Sequence, residues 1–365
     1  MKVCFSFQRS FAYISHNLAI LLQQENPGIE CCGYAYLRSS FEFLKNQKEV
    51  SYTNLILDED IHERFKTELL DPEYLKRIER EYGIPNLWPY IALDRVLMFN
   101  QLVREYPYNT PAYSHEEMLR IFQVKTKAVI AFMEKEKPDA IFFPNIGGIS
   151  MYFMYQYAKK HGIKTLLVTT ASTKGRFVIS ETYDSFTGVD ALFKKRLHSG
   201  TSYASYAAAR NMLAEFRAQP DTYNKEMTPK RQPVTKRQQL RFLRPARFLA
   251  SVGWFMHLLR VHFFTRYPKD YSYIHPIGYL IDRVRRKVRN LIGVEDLYDP
   301  FTPKNENFAF FPLHYEPEVS LLLLAPFATN QIELVRAAAK SLPVMWKLYV
   351  KEHPLMVQYR PRSYY

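Results

Sequence analysis

Glycine is scarce in this chain, 12 residues in 365, and the scarcity excludes a good deal. The turn after the first predicted strand reads Gln8, Arg9, Ser10, Phe11, so the glycine-rich fingerprint of dinucleotide sites is absent. No Gly-x-x-x-x-Gly-Lys-Ser/Thr run exists, which removes the P-loop enzymes, and no Gly-x-Ser-x-Gly elbow, which removes the commonest hydrolases on this kind of layer. Cysteine is almost missing too. Cys4, Cys31 and Cys32 are an odd set in strand-like contexts without metal-ligand spacing, and they read as reduced core thiols of a cytosolic protein. His257 and His262 are not at the spacing that puts two ligands on one helix face, so no metal is expected. There is no apolar run of about 18 residues to span a bilayer. The N-terminus moves straight into a strand without a small-residue cleavage site, so no export signal is expected.

What is present in excess is positive charge, and it is concentrated. The net charge is +14, and residues 225–289 hold sixteen Lys and Arg against three acids, Glu226, Asp270 and Asp282. The rest of the chain is close to neutral. In the run KRQQLRFLRPARFLASVGWFMHLLR at 236–260, arginine alternates with large apolar residues, a mix suited to an amphipathic helix lying on an anionic membrane surface. Pro245 and Gly253 are expected to interrupt it. Two other readings remain: an inter-domain helical insert with solvated arginines, or a nucleic-acid contact, although no nucleic-acid module surrounds the run. A second basic helix, IDRVRRKVR at 281–289, shares the charge. It either joins the first at the membrane or packs on a domain junction and faces an acidic substrate group.

The remainder alternates strand and helix. Strands are predicted at 2–7, 29–36 and 53–57 with a helix at 12–24, then charge-rich helices over 59–136. Strands return at 139–144 and 164–170, with a helix from 150 to about 161 between them. Gly147 and Gly148 either let backbone N–H groups approach a ligand or serve a tight turn. After the 164–170 strand, Lys174 and Arg176 are placed to meet a phosphate and Glu181 or Asp184 to supply a carboxylate; the other reading is a hairpin with solvated charges. The predicted organisation is an N-terminal Rossmann-like domain over 1–218, a basic insert over 219–306, and the start of a second domain over 307–365. The fold class is α/β, with two Rossmann-like domains facing a cleft and the second one incomplete.

The most informative stretch is the last. FAFFPLHYEPE at 308–318 and WKLYVKEHP at 346–354 read as two buried strands, each stopping at a cluster of His, Glu and Pro. NQIELVRAAAK at 330–340 reads as a helix with Asn330 as N-cap and Glu333 three residues on. A right-handed βαβ unit would bring both polar clusters to one carboxyl edge, where open α/β sheets bind ligands. An imidazole there can hydrogen-bond a phosphate oxygen and assist its departure, while a carboxylate handles an acceptor hydroxyl or an anomeric carbon. That chemistry suits an anionic nucleotide-sugar held between domains. His353, Glu316 and Glu181 are the catalytic candidates, with His314, Glu318, Lys351, Pro354, Lys174 and Arg176 around the ligand.

Over residues 307–354 these signatures resemble the capsular polysaccharide biosynthesis proteins, GT-B glycosyltransferases that include the retaining β-Kdo transferases. His353-Pro354 matches the pair that meets the donor phosphate in those enzymes, whereas Glu316-Pro317 stands where they have Gln-Pro. Their acidic nucleophile follows a strand of the N-terminal domain. Here 171–173 carry no acid and Glu181 is the first. The resemblance implies transfer of a Kdo-like or other sugar, from CMP-Kdo or another nucleotide-sugar, to a lipid-linked or glycan acceptor at the inner face of the cytoplasmic membrane. It implies no cofactor beyond the donor and no nucleic-acid partner, and it implies donor-site elements beyond Tyr365. A non-catalytic assembly scaffold with a degenerate donor site is the alternative.

Overall fold

Strand β1 (Lys2–Phe7) is an interior strand of the large sheet, and both of its faces are buried. The computed structural model describes residues 1–100, 111–171, 177–200, 203–218, 240–265, 267–299, 306–353, 356–357 and 359–365. Around β1 a six-stranded sheet forms with β2 (Glu30–Ala35), β3 (Tyr52–Leu57), β4 (Ala140–Phe143), β5 (Lys164–Thr170) and β6 (Phe177–Ser180), in the order β3-β2-β1-β4-β5-β6. The first five are parallel and β6 returns antiparallel to β5. Because helices cover both faces, alternate residues enter different cores. Val3, Phe5 and Phe7 pack with Ala12, Ala19 and Leu44, whereas Cys4 packs with Tyr34, Phe122 and Phe153 on the other side. Gly33 is dictated by this packing, since a Cβ there would lie 2.3 Å from the Phe7 ring. All three cysteines are buried free thiols.

Between β3 and β4 run several helices, the longest being His115–Glu136. It opens on a capping box in which the Glu117 amide donates to Ser114 Oγ and the Ser114 amide to Glu117 Oε2. The six-stranded sheet ends at Ser180, and later residues such as Tyr271 and Leu322 return to pack on its core. Helices Val189–Ser199 and Ser205–Ala218 bury no residue at all. β5 and β6 form a hairpin, and its tip, with the predicted Lys174 and Arg176, lies outside the described residues.

Helix Pro245–Phe264 runs unbroken, against the expectation of an interruption. Pro245 occupies the first turn, where no N–H bond is required, and a single glycine inside a long helix costs only about 1 kcal/mol. Helix Pro276–Ile292 follows, and Trp254 meets Tyr279 between the two at 5.0 Å between rings. Among the described residues no helix is long and apolar enough to cross a membrane.

The C-terminal βαβ unit is present. Strands β7 (Phe308–Pro312) and β8 (Lys347–Lys351) pair in parallel with Phe308 opposite Lys347, and helix Gln331–Ser341 connects them. Asn330 caps that helix, accepting from the amides of Ile332 at 3.1 Å and Glu333 at 3.4 Å. The strands are not buried, however. Phe310 is 53% and Val350 42% exposed, because a two-stranded sheet carrying one helix cannot cover both of its faces. The unit is anchored instead through helix Val319–Leu324, whose Leu322 enters the N-terminal core.

Candidate functional site

A cavity of about 380 Å³ lies where these two units meet. One wall is the carboxyl edge of the large sheet: residues 8–11 after β1, Tyr36 after β2, and Asn145 and Gly147 after β4. The opposite wall is Tyr315, Pro317, Glu318 and Val319, after β7. The position follows from topology. β1 lies between β2 and β4, so the chain leaves the sheet in opposite directions on its two sides and opens a crevice at the switch point. Helix Ile149–Lys160 starts at this crevice from Gly148, whose φ of 131° disfavours any side chain. A Cβ there would also stand 3.0 Å from the Tyr36 hydroxyl. Asp94 closes the floor, with Oδ1 accepting from the amides of Val96 at 3.2 Å and Leu97 at 3.3 Å. Burial pushes its carboxyl above the ordinary range.

The carboxyl edge of β7 and β8 gathers part of the predicted set. The rings of Tyr315 and His353 are 5.6 Å apart. Burial pushes the His353 imidazole down, while the nearby carboxylates of Glu318 and Glu352 pull the other way. His314 and Glu318 are both exposed at this edge, and Lys351 is an exposed strand end whose carbonyl accepts from the Leu313 amide at 2.9 Å. Pro354 lies outside the described residues. His353, His314 and Glu318 are therefore neighbours, with Glu318 and Tyr315 reaching the cavity wall.

Two predicted carboxylates are elsewhere. Glu316 is fully buried and faces away from the cavity, in an ion pair with Arg360, itself fully buried. Burial pushes Glu316 up to about 7 against the pull of that guanidinium. Glu181 follows β6, which runs back from the carboxyl edge, so it emerges at the amino edge beside Thr165, whose hydroxyl donates to its carbonyl at 2.6 Å. The length of β5, about 20 Å, separates it from the cleft. Its carboxylate is 4.0 Å from Lys164 Nζ and largely solvated.

Arg360 is the residue that the sequence reading missed. Its Nη1 donates to both Glu352 oxygens, at 2.6 and 2.7 Å, and its Nη2 to the His314 carbonyl at 3.2 Å and to Glu316. One guanidinium thus ties together the turns after β7 and β8. An arginine seven residues beyond a His, in an apparent tail, gives no local signal. The only hint was that Glu316 and Glu352, both predicted near strand ends, need a buried cation.

No protein-family model matches the chain, and no curated protein does. Among solved structures it is similar to UDP-GlcNAc 2-epimerase from Neisseria meningitidis bound to UDP-GlcNAc, at 13% identity and a TM-score of 0.26, over 99% of this chain and 68% of that one. No residue correspondence follows from a likeness of that size. None of these comparisons supports the expected likeness to the capsular polysaccharide proteins.

Proposed function

We propose that the chain is a nucleotide-sugar-dependent glycosyltransferase of surface polysaccharide assembly, with CMP-linked Kdo-like donors favoured. The observation that carries this reading is the cleft cavity, built from the switch point of one α/β unit and the carboxyl edge of another. In this reading the donor nucleotide lies along the β7–β8 edge. There His353 meets its phosphate, and His314, Glu318 and Lys351 surround it. The acceptor enters from the side of residues 8–11. Glu316 and Glu181 take no direct part, being buried in an ion pair and at the far edge respectively. The two basic helices hold the protein on the inner leaflet, near a lipid-linked acceptor. Their arginines flank apolar side chains that remain in solvent.

The test is acceptor-dependent release of nucleotide from CMP-Kdo, UDP-sugar and GDP-sugar donors. His353→Ala should depress turnover by about 100-fold or more, the scale of losing one catalytic hydrogen-bonding group. Unchanged rates in that variant would sink the assignment. The removal of both Glu316 and Glu181 from the cleft favours one other reading, a scaffold that binds without turnover. Tight binding to anionic vesicles with no nucleotide protection against heat would select it.

A further inference from the structure

Three consecutive side chains of the basic region plug into the carboxyl edge of the large sheet. Asp270, Tyr271 and Ser272 form a turn, closed by the Tyr273 amide donating to the Asp270 carbonyl at 2.9 Å. Arg38, the first residue of helix Arg38–Asn46 after β2, donates from Nε and Nη2 to the Asp270 carboxylate at 3.0 and 2.8 Å. Tyr271 stacks on His62, with 3.8 Å between ring centres, and donates to Asp58 Oδ2 at 2.9 Å. The Ser272 hydroxyl donates to Glu59 Oε1. Asp58, Glu59 and His62 belong to helix Asp58–Glu63, directly after β3. Of the described residues between Tyr183 and Val319, Tyr271 alone packs on a hydrophobic core of the N-terminal unit. Helix Pro245–Phe264 buries no residue, and helix Pro276–Ile292 only Pro276. The turn is therefore the point at which the basic region is fastened to the sheet.

The charges in this fastening do not balance. Asp58, Glu59, Asp60 and Asp270 face two cations. Lys125 of the long helix pairs with Asp58 at 2.6 Å, and the Arg38 guanidinium is shared between Asp270 and Asp60. Glu59, 1% exposed, is left with neutral donors, the Ser272 hydroxyl and the Arg38 amide at 2.7 Å. Asp270 beside it is 6% exposed. The other titratable groups packed here are His62, Tyr36 and Tyr271, which burial keeps neutral by pushing the imidazole down and the phenols up. Two carboxylates side by side in a dry site cannot both ionise cheaply, so a proton stays on Glu59 while the turn is seated. Burial, with Asp270 adding to it, pushes Glu59 up to about 8, whereas an opened turn leaves it in water near the ordinary 4.5.

We propose that the turn Asp270–Tyr273 is a proton-operated latch. It closes on the sheet edge when Glu59 carries a proton. It opens when Glu59 gives that proton to solvent, releasing helix Pro245–Phe264 and the N-terminal end of helix Pro276–Ile292. The far end of the second helix stays held, since Arg286 donates to the Tyr359 hydroxyl at 3.4 Å and Arg289 to the Tyr359 carbonyl at 3.0 Å. Opening therefore swings the basic region about that end. It also withdraws Tyr271 from Tyr36, whose ring lies 6.2 Å away and lines the cleft cavity. The position of the basic region is thus tied to the shape of the cleft, whatever ligand the cleft takes.

Hydrogen exchange of the full chain from pH 5.5 to 9, read by mass spectrometry and corrected for the intrinsic amide rate, tests the latch. One proton leaves per opening, so the opening constant over 268–275 should rise by up to about tenfold per pH unit to pH 8 and level off above it. Amides of β1 and β4 should stay far better protected throughout. Glu59→Gln cannot ionise and should hold 268–275 shut, with an opening constant that no longer changes with pH. Asp270→Asn, which removes the neighbouring carboxylate, should end the rise at a lower pH and serves if Glu59→Gln does not fold. A wild-type opening constant independent of pH would overturn the proposal. So would a rise that survives in Glu59→Gln, or equal opening constants at 268–275 and β1, the mark of global unfolding.

Discussion

Lys125 Nζ lies 2.6 Å from Asp58 Oδ2, and neither side chain has any solvent exposure. Tyr271 Oη donates to the same carboxylate oxygen at 2.9 Å and Tyr34 Oη to the other at 2.7 Å, with the Ser150 hydroxyl on it as well. The pair sits behind the cleft. It joins the end of β3, the long helix His115–Glu136 and a segment of the basic region. Burial pushes the Asp58 carboxyl up, but Lys125 and the hydroxyls of Ser150 and Tyr34 hold it below its ordinary value. A depressed carboxylate contributes stability that is present at neutral pH and is lost as pH falls through its folded value. Lys125→Met leaves a buried charge without its partner and should cost about 3–5 kcal/mol in denaturant unfolding. The double variant Lys125→Met, Asp58→Leu should recover part of that loss.

Glu59, the next residue, titrates in the opposite sense. Burial beside Asp270 pushes it up to about 8, although Ser272 and the Arg38 amide donate to it. The folded protein therefore keeps a proton that the unfolded chain releases near the ordinary value of 4.5. Stability should fall as pH rises from about 4.5 towards 8 and level off beyond. Melting temperatures of Glu59→Gln across pH 5 to 9 should lack that component of the slope; an identical slope would contradict it.

Loss of Arg360 should act through the buried carboxylate it leaves. Arg360→Met is expected to destabilise the chain by about 3–5 kcal/mol near pH 8. The loss should be smaller near pH 5.5, where Glu316 takes a proton. Hydrogen exchange should quicken at 313–316 first, since Nη2 holds both the His314 carbonyl and Glu316.

Gly148→Ala should cost about 1–3 kcal/mol through its positive φ, and should push the Tyr36 hydroxyl from the cavity wall. Thermal unfolding and binding of any cleft ligand should both be weakened. An unchanged melting temperature would show that the turn is not strained as described.

Helix Pro276–Ile292 exposes a stripe of Ile277, Leu280, Ile281, Val284, Val288 and Ile292, each between 44% and 57% exposed, flanked by Arg283, Arg285 and Lys287. Val284→Glu with Val288→Glu should abolish co-sedimentation with phosphatidylglycerol-containing vesicles without changing the unfolding midpoint. Retained sedimentation would remove this helix from membrane docking.

The alternation of strand and helix was legible because continuous apolar runs and helix caps are local signals. The strands at 2–7 and 164–170 were read at the boundaries observed, and Asn330 announced its helix. What failed was long-range. A hairpin after β5 was one of two readings near Glu181, but its register, which moves the residue to the far edge, has no local signal. Nothing near Glu316 reveals a guanidinium 44 residues on. The apolar letters of β7 and β8 signalled strands but not their cover, because burial depends on what packs against a strand. The cavity residues Arg9, Arg95 and Asp94 carry no motif and meet only through sheet order.

Arg360 also sets an order of events during synthesis. The N-terminal sheet can close as soon as β6 has left the ribosome. The turns at 313–316 and 352–353 cannot settle until residue 360 has emerged, since their shared cation comes last. Until then Glu316 has no counter-ion to be buried with, and the cleft has one finished wall.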